Sequence, residues 1–441
     1  MPRRVALLDM INKIKDHSAR VVIIGLGYVG LPMATEIAMA GYNVYGIDID
    51  PVKIEELRNG RSYIIDIEDQ VIASIAGNFH VGTEYDVIRQ ADIIIICVPT
   101  PLARGNQPDT SYIESAIQMS LPHLKKETLI ILESTTYPGT TEELIRQVVE
   151  NTNAWSAGED FYVCYSPERV DPGSKDYHVK NTPKIIGGST PNCLKVGVEF
   201  YGGILDRIVP VSSTMVAETA KLFENTFRSV NIALVNGMVP MCEKAGFSIW
   251  EVIDAAATKP FGYMTFYPGP GIGGHCIPID PLYLAWKSEQ YGIPLEFIQL
   301  ADRTNHNMTL YLVERITEML KREGKSINRA RIVLVGMAYK KDIDDVRESP
   351  AMALFQKLRE EGADVCYTDP FVSQFRLSKE IITSVAPDPR LWSESDMVVI
   401  TTDHSQVDYQ NIADHAPMIF DTRNVMKTCQ GGRIVVLGNP G

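Results

Sequence analysis

The chain has 441 residues, 45% hydrophobic and 22% charged, with a formal net charge of −13. That is too long for one ordinary domain and has the composition of a soluble globular protein, so two or three domains are expected. The acidic balance argues against a nucleic-acid partner, and any anionic ligand needs a local basic patch.

The chain opens with an amphipathic lead, Val5, Leu8, Ile11 and Ile14, which carries Asp9 and Lys13 where a signal peptide needs an unbroken apolar core. No apolar run reaches the length of a membrane span, so no membrane partner is expected and the expected compartment is the cytoplasm. A β-branched run, Arg20 to Ile24, ends in Gly25-Leu-Gly27-Tyr28-Val29-Gly30, and small and apolar residues at helical spacing follow. A second strand, Asn43 to Asp48, closes a unit of the dinucleotide-binding kind. Gly25 permits the tight turn, Gly27 lets the backbone approach a pyrophosphate, and Gly30 lets helix and strand pack. Asp48 is placed to accept hydrogen bonds from both ribose hydroxyls and would repel a 2′-phosphate, which favours NAD over NADP; Lys53 nearby suits either cofactor. Further strands are predicted at Ala91–Val98, Thr128–Leu132 and Phe161–Cys164. The loops after them hold Thr100, Glu133-Ser134-Thr135 and Ser166-Pro-Glu168-Arg169-Val-Asp171-Pro-Gly173, and such loops line the ligand crevice of an open parallel sheet. Cys97 and Cys164 fall inside strands and read as buried, inert thiols.

From Ser213 one long helix is predicted, with Val216, Ala220, Phe223, Phe227, Val230 and Leu234 as its apolar stripe and no proline before Pro240. Its large apolar face suits a dimer and equally a partner within the chain. Lys221 and Asn225 project from one face at i,i+4. They read either as a donor pair for an oxyanion or as a solvated helix edge, and spacing alone favours the edge. The stretch Tyr267-Pro-Gly-Pro-Gly271-Ile-Gly273-Gly-His-Cys276-Ile-Pro-Ile-Asp280 follows, too rich in glycine and proline for a helix or packed strand. It reads as a ligand cradle ending at Cys276, with Asp280 to orient or accept a proton. An odd cysteine count of seven with no C-x-x-C pair fits reduced thiols, and no metal site is expected. Leu282–Lys287 and Phe297–His306 read as helices.

In the last third, Arg331–Gly336, a helix over Ser349–Glu361, a strand ending at Asp369 and Ser395–Thr402 repeat the first architecture without its glycine fingerprint. Lys340, Lys341, Arg347 and Arg423 supply the basic patch, holding phosphates by side-chain charge. The expected fold class is α/β, two Rossmann-like doubly wound domains joined by a long central helix and a small helical domain. The expected divisions are an NAD-binding domain at 1–210, a central helical and dimerisation domain with the cysteine loop at 211–325, and a second Rossmann-like domain at 326–441.

From about residue 19 onward the chain resembles the UDP-glucose/GDP-mannose dehydrogenase family. The resemblance rests on Gly25 to Pro32, Glu133-Ser-Thr135, Ser166-Pro-Glu168, Lys221 with Asn225, Gly273-Gly-His-Cys276 with Asp280, and Gly336-Met-Ala-Tyr-Lys340-Lys-Asp with Arg347-Glu-Ser. It implies oxidation of a sugar-nucleotide C6 alcohol to a carboxylate by two NAD in succession, through a thiohemiacetal and thioester on Cys276, in polysaccharide biosynthesis. It further implies that Glu168 is or positions the general base, that Lys221 and Asn225 stabilise an oxyanion, and that Asp280 and Thr135 handle the hydrolytic water. Arg347 would contact the NAD, along with the glycine-loop residues, Asp48, Lys53, Thr100 and Thr135. Arg169, Tyr267, Gly271, Gly273, Lys340 and Arg423 would contact the substrate beside Glu168, Lys221 and Asn225. The resemblance also makes 326–441 the UDP-sugar-binding domain, and suggests a homodimer or higher homo-oligomer.

UDP-glucose members of the family typically carry a second Glu where this chain has Pro172, and F-P-K-D where it has Ile277-Pro-Ile-Asp280; Tyr263, Phe266 and Tyr267 replace their basic residues. These features resemble the N-acetylhexosamine branch, and the tail Ile277 to Trp286 resembles its UDP-N-acetylglucosamine members. The same chemistry on UDP-N-acetylmannosamine, UDP-N-acetylgalactosamine or UDP-glucose is the alternative. Two other classes compete. A Cys/His acyl hydrolase would need a histidine facing Cys276, and His275 is adjacent in sequence. A nucleotide-sugar sensor would not need Glu168, Lys221, Asn225, Cys276 and Asp280 together.

Overall fold

The computed structural model describes residues 2–64, 66–103, 105–170 and 176–440, without the side chains of 2–5. The Val5 side chain and the whole of Asp171, Pro172 and Gly173 lie outside the described residues. The chain forms two compact units, one of Met1–Glu224 with Trp286–Gly292, the other of Asn225–Ala285 with Ile293–Gly441.

The first unit is built on an eight-stranded sheet of β1 (Arg20–Ile24), β2 (Asn43–Ile47), β3 (Phe79–Gly82), β4 (Ile93–Ile96), β5 (Leu129–Leu132), β6 (Tyr162–Tyr165), β7 (Lys184–Gly188) and β8 (Ile208–Val211). Their order is β3-β2-β1-β4-β5-β6-β7-β8. Every pairing is parallel except β6 with β7. The central strands β4, β5 and β6 are buried along their whole length, the unbroken apolar pattern of a parallel sheet covered on both faces. Met10, Ile11 and Ile14 of the N-terminal helix Pro2–Lys15 are buried, while Leu8 of the predicted stripe faces solvent.

The second unit repeats the pattern with β9 (Arg331–Val335), β10 (Asp364–Thr368), β13 (Met397–Ile400), β14 (Ile419–Asp421) and β15 (Ile434–Val436), all parallel in the order β10-β9-β13-β14-β15. The hairpin β11 (Gln374–Leu377) and β12 (Glu380–Thr383) is inserted after β10. Helix Pro350–Glu360 follows β9, starting at a Ser349 cap with proline at its first turn.

The long helix runs Thr214–Ala245, past Pro240. Val239 and Cys242 on either side of the proline are fully buried. Packing there holds the helix together despite the roughly 3 kcal/mol cost of an interior proline. The apolar stripe of this helix faces outward. Phe223 is 67% and Leu234 64% exposed, with Val216 and Phe227 also exposed. The buried face carries Ala217, Leu222, Ala233, Val235 and Val239 together with polar residues, including Glu218, Lys221, Asn225, Ser229 and Asn236. The two helices beyond the cysteine loop run Asp280–Gln290 and Glu296–Arg322, longer than predicted because Leu312, Ile316 and Leu320 extend the buried face of the second.

Candidate active site

In the first unit the glycine loop has the geometry of a dinucleotide cradle. Gly25 takes φ +93° and a Cβ there would lie 2.5 Å from the Cys97 carbonyl oxygen; a Cβ on Gly30 would lie 1.9 Å from that of Gly25. Both positions therefore exclude any side chain. A Cβ on Gly27, by contrast, would meet nothing within 4 Å, so the space over this residue is open to a ligand. Asp48 at the end of β2 takes the N–H of Leu26 (2.9 Å) and of Asp50 (2.9 Å), and Lys53 pairs with it at 3.5 Å. The carboxylate thus anchors the glycine loop while keeping acceptor capacity for a diol. Tyr28 is exposed and Val29 half-buried beside the loop. Thr100 donates to the Thr135 carbonyl at 2.5 Å, joining the loops after β4 and β5. These features fit NAD.

Deeper in the same unit lies a cluster of charges. Lys184, first residue of β7, places its ammonium 2.9 Å from Glu133 Oε1 and 3.4 Å from Glu168 Oε2. Glu168 Oε1 takes the N–H groups of Arg169 (2.6 Å) and Val170 (2.7 Å), and Tyr201 donates to Glu133. Burial pushes the Glu168 carboxyl up, but Lys184, the two N–H groups and Lys221 outweigh it and hold it below the usual carboxylate range. For Glu133 burial wins, and its carboxyl is raised. Lys184 itself is raised, since the two carboxylates outweigh its burial. Lys221 is only 9% exposed. Arg169, expected at the substrate, forks onto Glu224 at 2.6 and 3.1 Å and donates to the Pro183 carbonyl at 2.7 Å. Sequence reasoning missed Lys184 and Tyr201.

The second unit holds the thiol. Cys276 is the one cysteine of the seven that is exposed. Its carbonyl takes the N–H groups of Ile279 (3.2 Å) and Asp280 (2.9 Å), a turn that leads into the helix beginning at Asp280. Asn225, 6% exposed, donates to Asp280 at 2.6 Å. Lys221 and Asn225 are therefore both buried, which overturns the solvated-edge reading that spacing favours. The reason is that they share the inner face of their helix with Ala217, Leu222 and Ser229.

The glycines before Cys276 serve close packing. A Cβ on Gly273 would lie 2.6 Å from Tyr339 Cβ and 2.8 Å from the Glu348 carbonyl oxygen; one on Gly274, at φ +84°, would lie 2.8 Å from the Tyr339 ring. Gly274 also donates to the Arg347 carbonyl at 2.9 Å. Gly271 has φ +139°. Gly269 donates to Asn236 Oδ1 at 3.0 Å, and Asn236 donates to Asn305 at 3.0 Å. A Cβ on Gly269 would approach Arg423 Nη1 to 2.8 Å, and Arg423 is braced by the Thr401 carbonyl at 2.8 Å. Tyr267 stacks on Trp250 with ring centroids 5.6 Å apart. Arg347 forks onto Asp345 at 2.6 to 3.0 Å, and Lys340 is half-buried in the loop after β9. His275 is lowered by burial and then by Arg347. In this repeat Asp369 stands where Asp48 stands in the first, but its acceptors are filled. Oδ2 takes Met337 N–H (2.6 Å), Ala338 N–H (3.1 Å) and His404 (3.1 Å), and Oδ1 takes Phe371 and Val372 N–H at 2.8 and 3.0 Å. That leaves no room for a ribose diol, so the two repeats are chemically unlike.

Among the described residues there is no cluster of His, Cys, Asp and Glu suited to a metal, and no helix is long and apolar enough to cross a membrane. A Rossmann cradle fitted to NAD and an accessible thiol beside a buried Asn–Asp pair define an NAD-linked oxidoreductase. Residues 19–205, 215–307 and 333–428 match, respectively, the NAD binding, central and UDP binding domains of the UDP-glucose/GDP-mannose dehydrogenase family. The chain belongs to that family. It is 34% identical over 417 residues to the UDP-N-acetyl-D-mannosamine dehydrogenase of Pyrococcus horikoshii, covering 92% of this chain and 96% of that one. It is 34% identical over 355 residues to the UDP-N-acetyl-D-glucosamine 6-dehydrogenase of Pseudomonas aeruginosa, covering 80% and 83%. The solved structure of the Pyrococcus horikoshii UDP-D-ManNAc dehydrogenase superposes with a TM-score of 0.87 at 33% identity, over 95% of this chain and 99% of that one.

Proposed function

We propose that the protein oxidises C6 of a UDP-N-acetylhexosamine, UDP-N-acetylglucosamine first, from alcohol to carboxylate. The observation that carries this reading is the exposed Cys276 thiol at the turn leading into Asp280, in a chain that spans all three family domains. When bound, NAD accepts the hydride in each of the two oxidations. Glu168, held as a carboxylate, takes the proton of the C6 hydroxyl or positions the group that does. The Cys276 thiolate adds to the C6 aldehyde and holds it covalently until water releases the acid. Lys221 and Asn225 stabilise the oxyanion, and Asp280 with Thr135 orients the water. Asp48, Lys53, Thr100, Arg347 and Gly25 to Gly30 serve the NAD. Arg169, Tyr267, Gly271, Gly273, Lys340 and Arg423 serve the sugar nucleotide. The reading keeps the division into an NAD-binding part at 1–210, a central part at 211–325 and a UDP-sugar-binding part at 326–441.

The tail Ile277 to Trp286 supports N-acetylglucosamine. N-acetylmannosamine, its C2 epimer, is the second reading, supported by the names of relatives that span nearly the whole chain. NADH release from both UDP-sugars, and from UDP-N-acetylgalactosamine and UDP-glucose, separates the readings. Two NADH per UDP-N-acetylglucosamine with the others slow is the expected result. Two NADH from another sugar overturns the sugar assignment, and none from any sugar overturns the enzyme.

The outward stripe Phe223, Phe227, Leu234 and Met241 supports a homo-oligomer built on the long helix, because exposed apolar area of this kind is rare on a monomer. Light scattering on the purified protein is expected to give at least a dimer, and Leu234→Glu to weaken it.

A further inference from the structure

We infer that Lys184 is a positioning residue of the reaction, one that keeps the Glu168 carboxylate ionised and aimed, with Glu133 as the counter-charge that retains its ammonium in the buried site. This rests on the reading of Glu168 as the base.

The one antiparallel pairing in the first sheet sets the geometry. Cys164 lies opposite Gly188 and Tyr165 opposite Gly187 in the β6–β7 ladder. Continuing that register, each step forward on one strand is a step back on the other, which brings Glu168 opposite Lys184. Ser166 keeps the two segments together by donating to the Ile185 carbonyl at 2.7 Å. The Lys184 side chain is 4% exposed and lies 2.9 Å from Glu133 and 3.4 Å from Glu168. Because Arg169 and Val170 N–H groups already hold Oε1 of Glu168, the ammonium on Oε2 completes the fixing of that carboxylate in rotation as well as in charge.

The other groups facing the cluster do not replace Lys184. Tyr201 donates to Glu133. The Cys97 thiol, 4.0 Å from Glu133, is pushed up by burial and so stays neutral. The Arg169 guanidinium is committed to Glu224 and the Pro183 carbonyl. Lys221 adds positive charge toward Glu168, from a helix on which it also has its own proposed role. Without Lys184, two carboxylates would face each other in a buried site, and such a pair admits a proton.

The signs of the tests follow from this. Removing Lys184 raises the Glu168 pKa, so the base form is lost at a higher pH. Removing the Glu133 charge leaves the Glu168 pKa in place, because the Glu133 carboxyl, raised by burial, takes its proton before Glu168 does. With UDP-N-acetylglucosamine and NAD, the acid limb of the kcat/KM profile is expected to move up by about 1–3 pH units in Lys184→Met. It should stay near wild type in Lys184→Arg and in Glu133→Gln. Restoration of the limb by arginine cannot come from general loss of stability. Should Lys184→Met fail to fold, Lys184→Gln carries the same test. A limb that stays put in the neutral variants, or that moves as far in Lys184→Arg, overturns the inference. Glu168→Gln is the separate control: an unaltered rate and acid limb there would remove Glu168 as the base, whatever Lys184 does.

Discussion

Asn225 donates its side-chain amide to Asp280 across 2.6 Å, and the two are 6% and 1% exposed. A neutral donor at this distance from a shielded carboxylate makes a strong, charge-assisted bond that fixes both side chains. One partner sits on the long helix and the other opens the helix after the cysteine loop, so the bond also pins that loop to the second unit.

Asp280→Asn keeps the shape but removes the charge. If Asp280 orients the water that hydrolyses the thioester, the variant should still form acyl-enzyme and then stall. Stopped-flow NADH detection is expected to show an initial burst near two NADH per site, followed by turnover slowed about 10²–10⁴-fold. Slow NADH release with no burst would place Asp280 in an earlier step.

Cys276 should be the thiol that alkylates first. It is the exposed one, while Cys97, Cys164, Cys193 and Cys242 are buried and Cys366 and Cys429 half-buried. Burial pushes the Cys97, Cys164, Cys193, Cys366 and Cys429 thiols up and so lowers their reactivity at neutral pH. Brief iodoacetamide treatment with peptide mass spectrometry should find Cys276 modified in proportion to lost activity, and sugar nucleotide should protect it. Loss of activity with Cys276 intact would remove it as the nucleophile, as would normal acid formation by Cys276→Ala.

Local chemistry was the legible part of this fold. Gly25, Gly27 and Gly30 announce the first turn because no side chain fits at the outer two, and Asp48 closes the same short unit. Strands β4 and β5 show as unbroken apolar runs because both faces of the sheet are covered. Four-residue strands such as Phe79–Gly82 and Ile208–Val211 are too short to carry a period. Lys184 and His404 were missed because their partners lie 16 and 35 positions away, joined by strand register rather than spacing. For the long helix the sequence leaves the apolar face open to a dimer or to the chain itself, since an apolar stripe is the same in sequence whether it meets a core or faces outward; only the Lys221 and Asn225 edge, which spacing places in solvent, proves buried. The glycines before Cys276 read as room for a ligand; Gly273 and Gly274 also make room for Tyr339, a packing role that spacing does not show.

Two glycine substitutions separate those uses. Gly27→Ala adds a methyl group into open space, so stability should stay within about 0.5 kcal/mol of wild type while NAD binding weakens. Gly273→Ala forces a methyl group against Tyr339 Cβ, the Glu348 carbonyl and Pro350, at 2.6 to 2.9 Å. It should cost about 1–3 kcal/mol and slow turnover through Cys276, three residues on, with NAD affinity retained. Thermal melts and NAD titrations of both variants check this; equal effects on both readouts would mean the two loops do not differ in use.

Asp369 and His404 give the second repeat an acid-sensitive lock. The Asp342 N–H donates to His404 Nδ1 at 3.0 Å, so the ring proton sits on Nε2 and is donated to Asp369. Burial raises the Asp369 carboxyl, but the hydrogen bonds from His404, the Met337 N–H and the Phe371 N–H outweigh it and hold it below the usual range. A carboxylate whose folded pKa is depressed stabilises the fold above its unfolded pKa, near 3.9, and that stability is lost as pH falls through the folded value. Asp369→Asn removes the charge and leaves one carbonyl oxygen for five donors. It should destabilise the protein by about 3 kcal/mol or more at pH 7, with the gap to wild type closing below about pH 4. Urea unfolding of both proteins from pH 7 to pH 3 checks this. A gap that stays constant across the range would mean that the Asp369 charge does not stabilise the loop after β9.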